Sequence, residues 1–502
     1  MDNENIVQDE APEIKEATKA QGKSNRGFFG KLFGLKPDTS IKTEIIAGIT
    51  TFFAMCYIIL VNPDQITGFQ ADLKTNGLWS AVYVSTIIAA VIGTLLYAFL
   101  AKKPFAQASG MGLNSFFFTA FIAPCIAKSV PAANGYGAGL VIILISGIVF
   151  LILSATGLRG YIAKALPDCL KKAIPAGIGL FIALLGFKAS YIVTANPYTF
   201  VQLGDFTQWR IFNEYDVLSG GAAPALAAFL GFIAIIIFNK VGVKWLKNAS
   251  VVLGILVSTV LFYLFTWTAP SFSFNQIGDS FNAFGQYGFS LFKGESWATA
   301  FDGVTIGSIF SVIVLVITFC LVDMFDTIGT LYGASKQAGM VDENGDPEDM
   351  EKCMLCDSIA TCAGSVVGTS TVTTFVESAS GVAEGGRTGL TAFTTAMAFL
   401  VCLFLSPLAT IIPAVATAPA LIYVGVLMLR NFKDVDMTDL SSAVPAFLAM
   451  VLMPLTYSIS NGIAVGAISY VLIRLFTGKY TKKDIVVTII AALFIFKFAV
   501  PV

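Results

Sequence analysis

Apolar residues form long runs along this chain, separated by short polar stretches. A helix that crosses a bilayer needs about 20 consecutive apolar residues, and about fourteen runs approach that length. They are predicted as spans 1–14 at 44–61, 79–100, 112–127, 137–156, 170–187, 222–238, 250–267, 304–332, 353–367, 374–382, 388–405, 411–429, 443–457 and 459–476. A further apolar run, 485–502, is predicted either to span or to lie at the interface.

Composition agrees with a membrane protein. Hydrophobic residues make up 56% of the 502 positions and charged residues 13%, against roughly 25% charged residues in soluble domains. The net charge of -1 and the lack of a basic patch argue against a nucleic-acid partner. The eight cysteines are scattered and are interpreted as small packing residues.

Loop charges predict the orientation, because cytoplasmic loops collect lysine and arginine. With the N-terminus inside, the basic loops fall on one side and the long loops 194–221 and 270–302 on the other. The stretch 1–40 lacks an apolar signal-peptide core and is expected to be a cytoplasmic tail of a protein in the plasma (inner) membrane. The basic loop residues are Lys31, Lys36, Lys42, Lys102, Lys103, Arg159, Lys164, Lys171, Lys172, Lys240, Lys244, Lys247, Lys479, Lys482 and Lys483.

Seven spans precede the loop 270–302 and seven follow it, so the two halves are predicted to have inverted topology. Each half also has a shortened third segment, 107–127 and 368–382, interrupted by Gly or by Ser and Thr. Paired interrupted segments are the best pointer from sequence to a transporter site. Two ordinary helices shortened by loops are the alternative.

Two carboxylates within span 8 are the first candidate site residues. Asp323, Asp326, Thr327 and Thr330 follow i, i+3, i+4 and i+7 spacing, which places them on one helix face. Acids within a span cost about 2.5–3.5 kcal/mol each on insertion scales and usually serve function. A helix end near water, where Asp323 is merely solvated, is the alternative.

The second candidate is the segment 368–378. Five of the six residues from 369 to Thr374 carry a hydroxyl group. Hydroxyl side chains compete for backbone hydrogen bonds, and β-branched residues favour extended chain. We predict an extended stretch followed by a half-helix whose first turn carries Glu377. A Ser/Thr-rich extracellular loop is the alternative.

In the other half, the glycines around 110–112 permit an irregular backbone, and the amide of Asn114 offers both a donor and an acceptor to a heterocycle. Two half-helix N-termini would then face each other, and their dipoles favour negative charge. Because Glu377 already supplies that charge, an uncharged substrate with N–H donors or a cation is expected rather than an anion.

The sequence contains no histidine. His-ligated zinc sites, Ser-His-Asp triads and histidine proton relays are therefore excluded. Proton chemistry falls to the acids, and Asp323, Asp326 and Glu377 are the candidates.

Together these stretches resemble the nucleobase–cation symporter family, in its AzgA-like branch of hypoxanthine, guanine and adenine permeases. The resemblance covers about 41–476 and is carried by 43–53, 110–114, 322–329, 368–371, 376–383 and 386–389. It implies an all-α polytopic fold of two inverted seven-span repeats, with short strands in spans 3 and 10. It also implies a core domain (41–160 and 304–405) that binds the substrate and a gate domain (161–303 and 406–502).

The resemblance also implies residue roles. Glu377 matches the family's acid of span 10, and the acid-x-x-Gly pattern of span 8 favours Asp326, with Asp323 as a second acid. Phe116 and Phe375 match positions that contact the substrate ring, and Thr374 is assigned to the same site.

We therefore expect a carrier that imports purine bases with protons, requires no cofactor or metal, and leaves sodium coupling open. Relatives of this family form dimers, so a homodimer is a possible state. The alternatives are an anion transporter of the sulfate-permease type, which would avoid an acid at Glu377, and a membrane-embedded hydrolase using Asp323 and Asp326. No GxGD motif, histidine base or GxSxG elbow accompanies those acids.

Overall fold

The computed structural model describes residues 27–35, 39–156, 167–212, 218–270, 272–301, 309–341 and 347–499. Most of the predicted tail 1–40, the predicted start of span 8 at 304 and the last residues of 485–502 lie outside these ranges. The described chain is mainly helical.

The first half contains twelve helices and five strands among its described residues. They are α1 Gly27–Phe33, α2 Ile41–Met55, α3 Ile58–Ile66, α4 Ala71–Thr75, α5 Leu78–Leu96, β1 Gln107–Ser109, α6 Met111–Phe117, α7 Ala123–Ala127, α8 Ala132–Ala155, α9 Asp168–Ala189, β2 Val193–Asn196, β3 Phe200–Leu203, β4 Ile211–Phe212, β5 Leu218–Gly220, α10 Ala222–Lys240, α11 Lys244–Asn248 and α12 Ser250–Thr266. Two π-helical segments, Tyr97–Ala101 and Phe118–Ile122, continue α5 and α6.

The second half begins in the long loop and ends at the C-terminal helix. Its elements are α13 Gln276–Tyr287, α14 Gly294–Phe301, α15 Ile309–Ala338, α16 Met350–Val367, β6 Val372–Thr374, α17 Ser378–Ala383, α18 Gly389–Val401, α19 Ser406–Ile411, α20 Ala414–Met428, α21 Leu440–Leu455, α22 Ile459–Phe476 and α23 Ile485–Ala499. Short 3₁₀ segments lie at Ser290–Phe292, Cys402–Leu405, Leu429–Asp434 and Lys482–Asp484.

Seven of the described helical segments are long and apolar enough to cross a membrane. Several of the remaining predicted spans appear as shorter apolar helices, such as α12, α20 and α21. The count of fourteen spans stays a prediction, as does the choice between spanning and interfacial placement for α23.

The long loops contain more structure than the sequence suggested. The region 194–221 forms two antiparallel hairpins, β2–β3 and β4–β5. The region 270–302 contains α13 and α14, which pack on α5 and α8. Both helices keep one side exposed, with Phe281 in α13 and Trp297 and Phe301 in α14, so they lie against the bundle rather than within it.

The long helices pack in two groups. In one, α18 packs on α2 and α5, and α8 packs on α15 and α16. In the other, α9 packs on α20 and α21, α10 packs on α12 and α20, and α21 packs on α22. The division into a core and a gate domain stays a prediction, and α13 and α14, which fall in the predicted gate range, pack on α5 and α8 of the predicted core range.

Glycines bring the helices of the first group close together. A Cβ atom added at Gly48 of α2 would lie 2.6 Å from the carbonyl oxygen of Thr391 in α18. One added at Gly381 of α17 would lie 2.5 Å from the carbonyl oxygen of Ala47. Small residues permit this approach between helix backbones in a membrane.

Candidate functional site

A two-stranded ribbon joins the two halves of the chain. Strands β1 and β6 pair antiparallel, with Gln107 opposite Thr374 and Ser109 opposite Val372. The ladder continues beyond both strands, because Gly110 N donates to Thr371 O at 2.9 Å and Phe375 N donates to Ala106 O at 3.0 Å. The prediction of short strands in spans 3 and 10 is thereby confirmed, and the antiparallel pairing agrees with inverted halves.

The helices after the two strands are short. The segment predicted as a half-helix at 374–382 is helical only over α17, and Glu377 precedes this helix as its N-cap residue. Helix α17 has six residues, so few aligned peptides contribute a dipole and the dipole argument carries little weight there. The predicted first-turn position of Glu377 is therefore wrong by one residue.

A cavity of about 860 Å³ lies beside the ribbon and between the two helix groups. Asp326 and Thr330 of α15 line it together with Thr374, Phe375 and Glu377. At one end it reaches the exposed side chain of Lys244, on the side predicted to be cytoplasmic. The cavity is lined by Met111, Gly112, Pro175, Asn239, Lys244, Lys247, Asn248, Asp326, Thr330, Thr373, Thr374, Phe375, Val376, Glu377, Ala379, Ser380, Ala383, Glu384, Tyr423, Val424, Leu427, Met428 and Arg430.

The two acids of α15, Asp323 and Asp326, lie in different environments. Asp326 is half-buried and lines the cavity. Asp323, only 1% exposed, accepts a hydrogen bond from Thr361 Oγ1 of α16 at 2.9 Å and is not among the cavity-lining residues. The residues predicted to share one face of α15 therefore lie in two different environments, the cavity and the protein interior, because α16 and the ribbon cover part of that face.

Asn114 and Phe116 of α6 lie away from the cavity lining. The Asn114 side-chain oxygen accepts hydrogen bonds from Ser109 Oγ at 3.1 Å and from Ser370 Oγ. Phe116 packs on Phe319 with ring centroids 5.2 Å apart. In this conformation Asn114 therefore joins spans 3 and 10, and Phe116 belongs to the apolar core.

One buried acid beside the ribbon was not predicted from the sequence. Asp357 of α16 is fully buried and receives hydrogen bonds from Gln107 Nε2, Thr327 Oγ1, Tyr97 Oη at 3.2 Å and Thr374 Oγ1 at 3.0 Å. This network ties both strands and α15 to α16. The sequence did contain an indication of this residue, because Asp357 interrupts the apolar run of span 9 and such acids are rare in spans.

Tyr57 was also missed. Its hydroxyl donates to Glu377 Oε1 at 2.6 Å, across 320 positions of sequence. Nothing in the local pattern of span 1 marks this tyrosine, which is one of 15 in the chain.

Cations surround the open end of the cavity. Lys244, Lys247 and Arg430 line it there, and Lys244 Nζ lies 3.5 Å from Glu384 Oε2. Deeper in, Asn239 Nδ2 donates to Tyr423 Oη at 2.9 Å. The cavity thus runs from a basic mouth to an interior that contains Asp326 and Glu377.

At the other end of the bundle the two helix groups are in contact. Asp64 of α3 accepts hydrogen bonds from Trp79 Nε1 at 2.7 Å and from Thr417 Oγ1 of α20 at 2.9 Å. Since Asp64 is only 3% exposed, these donors replace the water that a carboxylate otherwise requires. The contact joins the groups opposite the cavity mouth.

Solved structures share this fold. The transmembrane domain of a cyanobacterium bicarbonate transporter, BicA, aligns with a TM-score of 0.57 and 16% identity, covering 84% of this chain and 97% of that one. SLC26A9 aligns with a TM-score of 0.57 and 10% identity, covering 95% of this chain and 73% of that one. At these identities the likeness extends to the fold alone.

Relatives found by sequence are more similar to this chain than these solved structures are. Adenine permease AdeP of Escherichia coli is 38% identical over 475 residues, which cover 94% of this chain and 96% of the relative. Guanine/hypoxanthine permease PbuO of Bacillus subtilis is 37% identical over 467 residues, which cover 92% and 98%. Residues 42–465 match Xan_ur_permease, a permease family. This chain is therefore a multi-pass membrane transporter that belongs to the Xan_ur_permease family.

Proposed function

We propose that the protein imports purine nucleobases, namely hypoxanthine, guanine or adenine, together with protons. The observation that carries the proposal is that Asp326 and Glu377 open onto one cavity beside the ribbon. Relatives named as adenine and guanine/hypoxanthine permeases over nearly the whole chain support the same substrate class.

The chemistry of the cavity suits an uncharged base. Purines carry ring and exocyclic N–H donors, and ionised carboxylates are pure acceptors that form strong hydrogen bonds with such donors. Phe375 lines the same cavity, and aromatic rings pack well on flat heterocycles. A volume of about 860 Å³ also lies in the range usual for small-molecule sites.

The two acids in the interior of the cavity, Asp326 and Glu377, argue against the anion-transporter alternative, although the fold is shared with anion transporters. An anion placed beside Asp326 and Glu377 would be repelled by both. Lys244, Lys247 and Arg430 line the mouth of the cavity, where water screens their charge.

In this proposal one of three acids, Asp326, Glu377 or Asp323, carries the proton that is transported with the base. Asp326 and Glu377 are the first candidates because they face the cavity, and Asp323 is the third. In this proposal the protein lies in the plasma membrane with its N-terminus in the cytoplasm. The ribbon-bearing helix group then moves relative to the group of α9, α10, α12, α20, α21 and α22 around the bound base.

The direct test is uptake of labelled hypoxanthine, guanine and adenine by cells that lack their own purine carriers. We expect accumulation that requires an inward proton gradient, falls with a protonophore and persists when choline replaces sodium. Competition by unlabelled purines and pyrimidines at two pH values ranks the substrates.

Several outcomes separate the alternatives. No uptake of any purine in cells that contain the protein in their membranes contradicts the proposed substrate class. Accumulation that follows the sodium gradient contradicts proton coupling only. Chromatography of the recovered label distinguishes a carrier, which delivers the intact base, from a hydrolase, which releases a product.

A further inference from the structure

Span 1 is interrupted, which its continuous apolar pattern did not predict. Helix α2 ends at Met55 and α3 begins at Ile58, with a turn at Cys56 and Tyr57 between them. Hydrogen bonds of three-residue spacing bridge the turn, from Ile59 N to Cys56 O at 3.2 Å. The turn therefore forms a third irregular point among the spans around the ribbon.

Tyr57 occupies this turn and contacts both interrupted segments. Its hydroxyl lies 2.6 Å from Glu377 Oε1, which precedes α17, and 3.7 Å from the sulfur of Met111, the first residue of α6. Tyr57 is only 1% exposed and is not among the cavity-lining residues. It therefore contacts Glu377 from the protein side, while Glu377 also faces the cavity.

We infer that Tyr57 is a positioning residue for Glu377: it orients the carboxylate toward the bound base and favours its charged form. This inference rests on the proposed function. A short O–H···O⁻ bond is among the stronger hydrogen bonds in proteins, and it restricts the rotation of the carboxyl group. A donor to the ionised form also opposes protonation.

Other charged and titratable groups line the same cavity as Glu377. Asp326 of α15 adds negative charge, and Glu384 lies at the end of α17. Tyr423 and Arg430 belong to α20 and the segment after it, and Lys244 and Lys247 belong to α11. None of these groups is altered when only the hydroxyl of Tyr57 is removed, so its effect can be measured separately.

The test is Tyr57→Phe, which keeps the ring and removes only the hydroxyl. A hydrogen bond to a charged group contributes about 1.5–3 kcal/mol, so we expect KM for the base to rise about tenfold or more while kcat changes less. Because the carboxylate becomes easier to protonate, the midpoint of the pH profile of uptake is expected to shift to higher pH.

Tyr83→Phe is the matched control. Its hydroxyl is equally buried and donates to Cys402 O at 2.7 Å, with no contact to Glu377, so KM and the pH midpoint should stay at wild-type values. Thermal denaturation of both purified variants shows whether the fold is retained. Base binding measured on the purified protein replaces uptake if a variant reaches the membrane poorly.

A double substitution tests whether Tyr57 acts through Glu377. In a Glu377→Gln background, Tyr57→Phe should change base binding by less than about twofold, because the charge that the hydroxyl stabilises is gone. Wild-type KM and pH midpoint in Tyr57→Phe would overturn the inference and leave the proposed function intact. Absence of purine uptake by the wild-type protein would overturn both.

Discussion

The two interrupted segments, 107–127 and 368–383, have similar backbones and different chemistry. Each forms a three-residue strand followed by a short helix, and the strands pair with each other. In the first, Asn114 turns inward and accepts hydrogen bonds from Ser109 and Ser370. In the second, Glu377 turns to the cavity.

This difference teaches that an inverted repeat can supply a symmetric frame while one half provides the acids of the site. All three acids that line the cavity, Asp326, Glu377 and Glu384, come from the second half of the chain. The first half contributes the neutral side of the ribbon and, through Tyr57, a donor to Glu377. Substitutions at equivalent positions of the two halves should therefore have unequal effects on transport.

The largest effect is expected for Glu377→Gln. The amide keeps the shape and loses the charge, so ring N–H donors meet a weaker acceptor. We expect kcat/KM for purine uptake to fall about a hundredfold, near the upper range for a hydrogen bond to a charged group. Initial rates of labelled uptake at equal protein level measure it.

Glu384→Gln is the control for this substitution. Glu384 follows α17, lines the same cavity near its mouth and pairs with the exposed Lys244. Exposed ion pairs contribute little, so uptake should change less than about twofold. Equal losses in both variants would contradict a specific role for Glu377.

Asp326→Asn should have the next largest effect. The residue lines the cavity from α15, and we expect uptake to fall about tenfold as one charged acceptor becomes neutral. Uptake kinetics at several external pH values measure this. Wild-type kinetics at all pH values would remove Asp326 from the site.

Asn114→Ala should have a smaller effect, and mainly on stability. Its loss leaves Ser109 and Ser370 without one acceptor in a buried place, at a cost of about 1–3 kcal/mol. We expect a lower denaturation temperature for the purified protein and an uptake KM within about threefold of wild type. A KM increase as large as that of Glu377→Gln, without loss of stability, would instead place Asn114 in contact with the base.

The smallest effect is expected for Asp323→Asn. The side chain is buried against Thr361, away from the cavity lining, and an amide oxygen still accepts that hydrogen bond. KM and the accumulation ratio in a proton gradient should stay within about twofold of wild type. Loss of accumulation with unchanged KM would assign the coupling proton to Asp323.

Local pattern predicted part of the site. The hydroxyl run at 369–374 competes with helix and favours extended chain, and β6 lies within it. Acids in apolar runs are costly. This cost predicted Asp326 as a site residue, and it holds equally for Asp357, which was not predicted. Tyr57 carried no such signal, because its partner Glu377 lies 320 positions away and a tyrosine in an apolar span is ordinary.

The sequence alone determined that this chain is a helical membrane protein and where two of its irregular segments, 107–127 and 368–382, lie. Hydropathy and backbone preference act over neighbouring residues, so they can be read from the chain in order. Only the tertiary structure decided which acids share the cavity: α16 covers Asp323, and a network from four spans surrounds Asp357. The surroundings of a buried carboxylate are set by residues distant in sequence, because water must be replaced by whichever donors packing brings to it.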